Sequence, residues 1–369
     1  MTDHNELTFF RGRVALYSLL KALGITSNDE VILQAFTCTA VPEAIVATGA
    51  KPVYVDILVN SFNMNPYDLA KKINCNTKAI IVQHTFGIPA DMDAILGIAR
   101  KYSVSIIEDC CHVSLSTYKG KRVGEFGIGS FYSYEWGKPI VAGVGGSLKV
   151  NSDQLLPKVK EIHYNLHSPT LLRQIRLITQ YCAYTILYRP ILYWPIKSIF
   201  HSMDKIGIAE GNFNIIKEAD KELNNDFNLK MAKINEKILL KKLKNKTKFI
   251  NHSQWVSNQY KTQIDSISVS HIDEPDYTRT VYARYPLLTK NKNDLLKKAR
   301  KHNIELADWY NTPIHPLNER EWSIVYYISG SCPNAENMCH KIVTLPVGEK
   351  VNTRNIKSII KFLNEVDLC

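Results

Sequence analysis

Between residues 31 and 110, four short apolar runs, VILQAF (31–36), PVYVDI (52–57), KAIIVQHT (78–85) and SIIEDC (105–110), alternate with the helical patterns VPEAIVATG, PYDLAKKIN and ADMDAILGIARKYS. Parallel strands need a crossover of about this length, so the spacing predicts right-handed crossovers and a mainly parallel sheet sandwiched by helices. In an open α/β sheet of that kind, ligands sit beyond the carboxyl ends of the strands. The residues to read there are Cys38, His84, Asp109 and His112.

The chain has 369 residues, more than one ordinary domain. After about residue 265 its units shorten to ISVSHI, YARYPLLT, the helical NDLLKKARKHNI, the loop NTPIHPLNE and a last helix from Thr353 to Val366. That change predicts a large domain over 1–228, interrupted by an apolar insertion at about 160–220, and then a helix with a smaller α+β C-terminal domain over 229–369.

A net charge of +11 favours anionic partners. The Lys-rich stretch Lys230 to Lys248 carries Ile234, Ile238, Leu239, Leu240 and Leu243 at helical spacing without interleaved aromatics, which suits a solvated helix face and argues against a nucleic-acid partner. Eight cysteines show neither CxxC pairs nor a zinc spacing, so free thiols in a reducing compartment and no metal site are expected. The N-terminal residues MTDHNELTFFRGR lack an apolar signal core, which points to the cytoplasm.

The segment 106–150, IIEDCCHVSLSTYKGKRVGEFGIGSFYSYEWGKPIVAGVGGSLKV, is the densest in chemistry. A pyridoxal phosphate enzyme needs a carboxylate to keep the pyridine nitrogen protonated, a lysine for the Schiff base, and hydroxyl and amide donors for the phosphate. Asp109, Lys138, Ser133 and the helix start at Arg11-Gly12-Arg13 supply that set, the glycine allowing close backbone approach and the free N–H groups suiting an anion. A lone lysine before proline is ordinarily a surface residue and an aspartate closing a strand ordinarily a cap. The joint pattern carries the reading.

With these residues in place, the sequence resembles the DegT/DnrJ/EryC1/StrS family of pyridoxal phosphate-dependent sugar aminotransferases, enzymes of fold type I. The stretch RGRVALYSLLKALGITSNDEVILQAFTCTAVPEAIVATGAKPVYVDI is similar to the family's cofactor-domain opening, and NTKAIIVQHTFGIPADMDAI to its third strand and following helix. The family's Asp followed three residues later by Gln or His appears as Asp109 and His112, and its Ser, four residues, Lys and glycine-rich turn as SYEWGKPIVAGVGG, with Ser133 and Lys138. The family's Asn-x-Arg-Met, which reaches the phosphate from the neighbouring subunit, is matched by Asn228-Leu229-Lys230-Met231, while HPL (315–317) and CPNAENMCHKIVTLPVG (332–348) resemble its closing motifs.

The resemblance implies an aminotransferase that converts a nucleotide-linked keto-sugar into an amino-sugar for surface glycan or secondary-metabolite biosynthesis, with glutamate as amino donor. It implies a homodimer with shared active sites, catalytic Lys138, Asp109 and His112, and a cofactor site made by Gly12, Arg13, Cys38, Asp109, His112, Ser133, Lys138 and Asn228. The rivals are a sugar dehydratase of the same fold, against which Lys138 argues because those relatives carry histidine there, and a non-catalytic scaffold at a membrane surface.

The match has departures. Arg13 stands where the family has threonine, and either contacts the phosphate or points to solvent. Cys38 stands where an aromatic usually stacks on the ring. His84 reads equally as a core residue, His315 as a shaper of its loop, and Asn228 as a polar helix-start residue. Residues 171–200 are apolar and aromatic between Arg173, Arg176, Arg189 and Lys197, with a charge-free core of only twelve residues, Leu177 to Tyr188. That is too short to span a bilayer, which takes about twenty. The segment suits a helix lying in an anionic membrane interface at the inner face of the membrane, or one packed on a partner subunit or the C-terminal domain.

Overall fold

The computed structural model describes residues 4–113, 115–205, 208–211, 225–264, 272 and 274–366. The first half runs β1 (Glu6–Phe9), α1 (Gly12–Ala22), β2 (Glu30–Gln34), β3 (Thr37–Cys38), α2 (Ala40–Val46), β4 (Lys51–Val55), α3 (Pro66–Lys72), β5 (Thr77–Gln83), α4 (Met92–Tyr102), β6 (Ser105–Asp109), β7 (Thr117–Tyr118), β8 (Lys121–Arg122), β9 (Gly129–Ser133) and β10 (Gly146–Val150). Its main sheet has the order β1-β10-β9-β6-β5-β2-β4. From β4 to β9 neighbours are parallel, while β10 and β1 pair antiparallel. The four apolar runs are thus the parallel part of the sheet, with β2, β5 and β6 largely buried on both faces and β4 at the edge.

Local chemistry sets the crossover helices. The side chain of Asp91 accepts from the Ala94 amide to start α4, Met92, Ile95 and Ala99 turn inward at helical spacing, and Ser103 ends the helix in a left-handed conformation. Asn65 caps α3 in the same way, with Pro66 at the first helical position. Helix α1 has no side-chain cap at its start and buries Val14, Leu16, Leu19 and Leu20 against the sheet.

The second half runs α5 (Leu156–Tyr164), α6 (Leu171–Leu187), α7 (Tyr193–Lys205), α8 (Lys233–Lys244), α9 (Lys246–Ile264), β11 (Thr278–Arg279), β12 (Arg284–Leu288), α10 (Lys292–Lys301), β13 (Ile314–His315), α11 (Pro333–Cys339), β14 (Ile342–Pro346) and α12 (Thr353–Glu365). Strands β12 and β14 pair antiparallel, and α9 packs with α12. Strand β13 joins the first half by pairing parallel with β3, which sets His315 opposite Cys38. The Lys-rich stretch forms α8 and the start of α9, with Leu239 buried and Lys233, Lys237, Lys241 and Lys244 exposed. Of the expected strand ISVSHI, all but Ile272 lies outside the described residues.

One glycine sets how closely α1 approaches the sheet. Gly146 lies opposite both Phe9 and Ser133, and a Cβ there would come within 2.4 Å of the Gly12 nitrogen. Gly146→Ala therefore pushes the start of α1 off the end of β9 and should cost about 1–3 kcal/mol as an overpacking change. Gly97→Ala, in exposed α4 with nothing within 4 Å, should instead raise stability by about 0.5–1 kcal/mol. Urea unfolding of the two variants checks this; equal effects would contradict the packing argument.

Candidate active site

At the carboxyl edge of the sheet, a cleft is lined by residues from β3, β6, β9, the start of α1 and the loop before β13. Gly12, Arg13, Cys38, Asp109, His112, Ser133 and Lys138 all line it. Asn228 does not: it is exposed on its own chain, and its carbonyl accepts from the His167 amide.

Asp109 closes β6, is buried, and accepts from the Cys111 amide at 2.9 Å. No cation lies within ion-pair distance of it among the described residues. Burial accordingly lifts its pKa above the ordinary aspartate value, against the opposing pull of the Cys111 amide and of Lys138. A buried carboxylate without a cation is costly. It suits a ligand that brings a protonated nitrogen.

Ser133 closes β9 at the cleft, and among the described residues no hydrogen bond engages its hydroxyl. Beside it, Gly12 packs so tightly that a Cβ would lie 3.1 Å from the Tyr132 carbonyl and 3.4 Å from the Ser133 Cβ. The first amides of α1, with no side chain to cap them, start beside that hydroxyl, and a helix N-terminus favours an anion. The loop after Ser133 turns at Gly137, in a left-handed conformation (φ +79°), and delivers Lys138 half-buried into the cleft. The Lys138 ammonium lies 5.3 Å from the centre of the Trp309 ring, and among the described residues it has no carboxylate partner. An anion cradle, a hydroxyl, an unpaired buried carboxylate and an unpaired lysine in one cleft fit pyridoxal phosphate group by group.

His112 is buried in a stack of rings. Its plane lies within 11° of Trp309 at 5.8 Å and within 4° of Phe86 at 6.0 Å. The Phe86 amide donates to its Nδ1 at 3.2 Å, so the neutral ring carries its proton on Nε2, which sits 3.4 Å from the Tyr310 hydroxyl. Burial first, then the nearby Lys138 charge, holds the imidazole pKa well below its usual value. His112 is therefore neutral and a donor through Nε2. His315 also lines the cleft, touches Asn311, and is pulled down to about 4, chiefly by burial.

The arginines on either side of Gly12 are both buried. Arg13 pairs with Glu43 at the cleft wall, so its guanidinium is not directed to solvent. Arg11 donates to Glu135 at 2.5 Å, to Asp226 at 2.9 Å and to the Gly211 carbonyl at 2.9 Å. Arg173 of α6 completes the node, with two bonds to Glu210 and one of 2.7 Å to Asp226. Burial works against the Arg11 charge, but Glu135 and Asp226 outweigh it and raise its pKa. The two arginines in turn hold Asp226 below the ordinary aspartate value, against its own burial.

His84 lies in the core. It receives the Ala90 amide on Nδ1 and meets Glu108, which also accepts from the amides of Gly124, Phe126 and Gly127. His84, Glu108 and Cys110 stand within 4.8 Å of one another, yet the carboxylate's lone pairs are taken up by this network.

Sequence reasoning missed Arg11 as a structural node and missed Glu135, Trp136, Trp309 and Tyr310 as cleft residues. Glu135 and Trp136 stand inside the SYEWGK motif, where position alone was a usable signal. Nothing local marks Trp309, because the β13–β3 pairing is what brings its loop to the cleft.

The sequence profile described as the DegT/DnrJ/EryC1/StrS aminotransferase family matches residues 3–177 and 196–364. The chain is 28% identical to GDP-perosamine synthase of Escherichia coli O157:H7 over 358 residues, covering 97% of this chain and 84% of the relative. It is 40% identical over 152 residues, 41% of this chain and 42% of the relative, to UDP-2-acetamido-2-deoxy-3-oxo-D-glucuronate aminotransferase of Pseudomonas aeruginosa. Among solved structures, the putative sugar aminotransferase Spr1654 from Streptococcus pneumoniae in its PLP form superposes with a TM-score of 0.75 at 18% identity, over 98% of this chain and 86% of that one. DesV from S. venezuelae superposes with a TM-score of 0.74 at 20% identity, over 98% and 85%. These superpositions show a shared fold of type I.

The Arg11 node has a pH signature. Because the folded state holds the Asp226 pKa low, its contribution to stability is present above the ordinary aspartate value of about 4 and is lost as pH falls through the lower folded value. Asp226→Asn should lower unfolding stability by about 3–5 kcal/mol at neutral pH, the range for breaking a buried ion pair. The gap from the parent protein should narrow on acidification. Urea titrations at several pH values measure it, and a gap that does not change with pH would contradict the assignment.

Proposed function

The chain belongs to the DegT/DnrJ/EryC1/StrS aminotransferase family, whose members are pyridoxal phosphate-dependent sugar transaminases, and within that family we propose that it moves an amino group from glutamate to a nucleotide-linked keto-sugar in the cytoplasm, for surface glycan or secondary-metabolite biosynthesis. The observation that carries the reading is the convergence of Asp109, Ser133, Lys138 and the open start of α1 on one cleft. The nucleotide linkage draws on the names of relatives that act on GDP- or UDP-linked sugars and on the basic balance of the chain. Lys138, where the dehydratase relatives have histidine, favours amino transfer over dehydration.

Pyridoxal phosphate, when bound, supplies an electron sink for the carbon that loses a proton. The amides of Gly12 and Arg13 and the Ser133 hydroxyl would hold its phosphate. The Asp109 carboxylate would keep a proton on its ring nitrogen, relieving the cost of its own burial. The His112 Nε2–H would donate to its ring oxygen. Lys138 would hold the cofactor covalently at rest and then, as the free amine, take a proton from one carbon and return it to another. Trp309 and the His112 stack wall that reaction off from water where Cys38 leaves room.

Replacing Lys138 with Ala should preserve folding and abolish glutamate-dependent amination of a keto-sugar, and Asp109→Asn should cost about 10²–10³-fold in turnover or more. Full turnover by Lys138→Ala would overturn the assignment.

The exposed position of Asn228 favours a homodimer with large domain 1–228 of one chain completed by the other. Inactive Lys138→Ala chains mixed with weakened Asn228→Ala chains should regain activity after subunit exchange, because some sites then hold both groups. Activity no higher than that of either variant alone would count against sharing.

A further inference from the structure

Helix α6, the turn Pro190–Leu192 and α7 have two unlike faces. The inner face is fixed: Leu177 is buried, Tyr184 packs on Trp136 at 4.6 Å, the Tyr188 hydroxyl donates to Glu305 at 2.7 Å, and the Trp194 indole donates to the Ile304 carbonyl at 2.7 Å. The outer face carries Leu171, Leu172, Ile175, Ile186, Leu187 and Ile191, each between 52% and 80% exposed. An apolar ridge of that length held rigidly at the surface of a folded protein marks a binding face.

Charge says what covers it. From Leu171 to Met203 the sequence contains no Asp or Glu, the first acid being Asp204. Arg176, about half exposed and 3.7 Å from the Glu210 carboxylate, and the exposed Arg189 border the apolar ridge. No helix among the described residues is long and apolar enough to cross a membrane. At about 1.5 Å per residue, α6 would lie flat for about 25 Å. A second copy of the chain is a poor occupant where the patch would lie on a two-fold axis, since it would then meet itself and holds no carboxylate for Arg189.

We infer that the outer face of α6 and the following turn is a docking surface for an anionic lipid bilayer, with the aliphatic residues entering the interface and Arg176 and Arg189 meeting the phosphate groups. The inner face of the same helix walls the Lys138 loop through Trp136. Docking thus brings the active-site cleft to the bilayer surface.

The test uses the full-length protein and flotation with two kinds of vesicle, phosphatidylcholine alone and an equal mixture of phosphatidylcholine and phosphatidylglycerol. The protein should float with the mixed vesicles at least tenfold more than with the neutral ones. Leu172→Glu combined with Ile186→Glu should lose that binding while circular dichroism and amino-transfer activity in solution are kept. Since both residues are exposed, the pair should fold; Arg176→Gln with Arg189→Gln gives a second, milder variant that should weaken binding and flatten its dependence on salt. Absence of binding by the parent protein, or binding that all these substitutions leave unchanged, overturns the inference. So does dissociation of the protein's oligomer by the glutamate pair in sedimentation, since the face would then be covered by a second copy.

Discussion

The Arg11 guanidinium holds the site together. It stands one residue before the helix whose amides form the anion cradle, and it is buried with bonds to Glu135, three residues before Lys138, and to Asp226, two residues before Asn228. Through Asp226 it shares Arg173 and so anchors α6. A guanidinium presents several donors in a rigid fork, which is what lets one side chain fix three chain segments at once. Lysine at this position could not.

Around that node the chemistry follows from where strands end. Asp109 and Ser133 are the last residues of β6 and β9, strands that run side by side, so their side chains reach the cleft edge without any loop to position them. Asp109 remains without a cation, Ser133 without a hydrogen-bond partner among the described residues, and the amides of α1 without a cap. Each of these is unfavourable in a protein standing alone, and a single phosphorylated pyridinium ligand would offset all three.

Much of this was legible in the sequence. The parallel strands announced themselves by short apolar runs at crossover spacing, and Asp109, Ser133 and Lys138 lie within thirty residues of one another, so a local motif could name them. What could not be read depends on partners far away in the chain. The choice for Arg13 between phosphate and solvent overlooked Glu43, thirty residues on, which takes up the guanidinium. Trp309 reaches the cleft only because β13 pairs with β3, and two-residue strands leave no periodicity to find. For residues 171–200 the sequence offered a choice between packing and an interface. The structure shows one face packed and the other exposed, since the helical period puts Leu177, Tyr181, Tyr184 and Tyr188 inward and Leu171, Ile175 and Ile186 outward.

The account stands or falls on Lys138 as the attachment point of the cofactor, and borohydride reduction reads that directly. Purified protein incubated with pyridoxal phosphate, reduced and digested, should show the mass of the reduced cofactor on the peptide that contains Lys138, and the label should disappear in Lys138→Ala. Stoichiometric labelling of another lysine, such as Lys292 or Lys350, with Lys138 left unmodified, would contradict it.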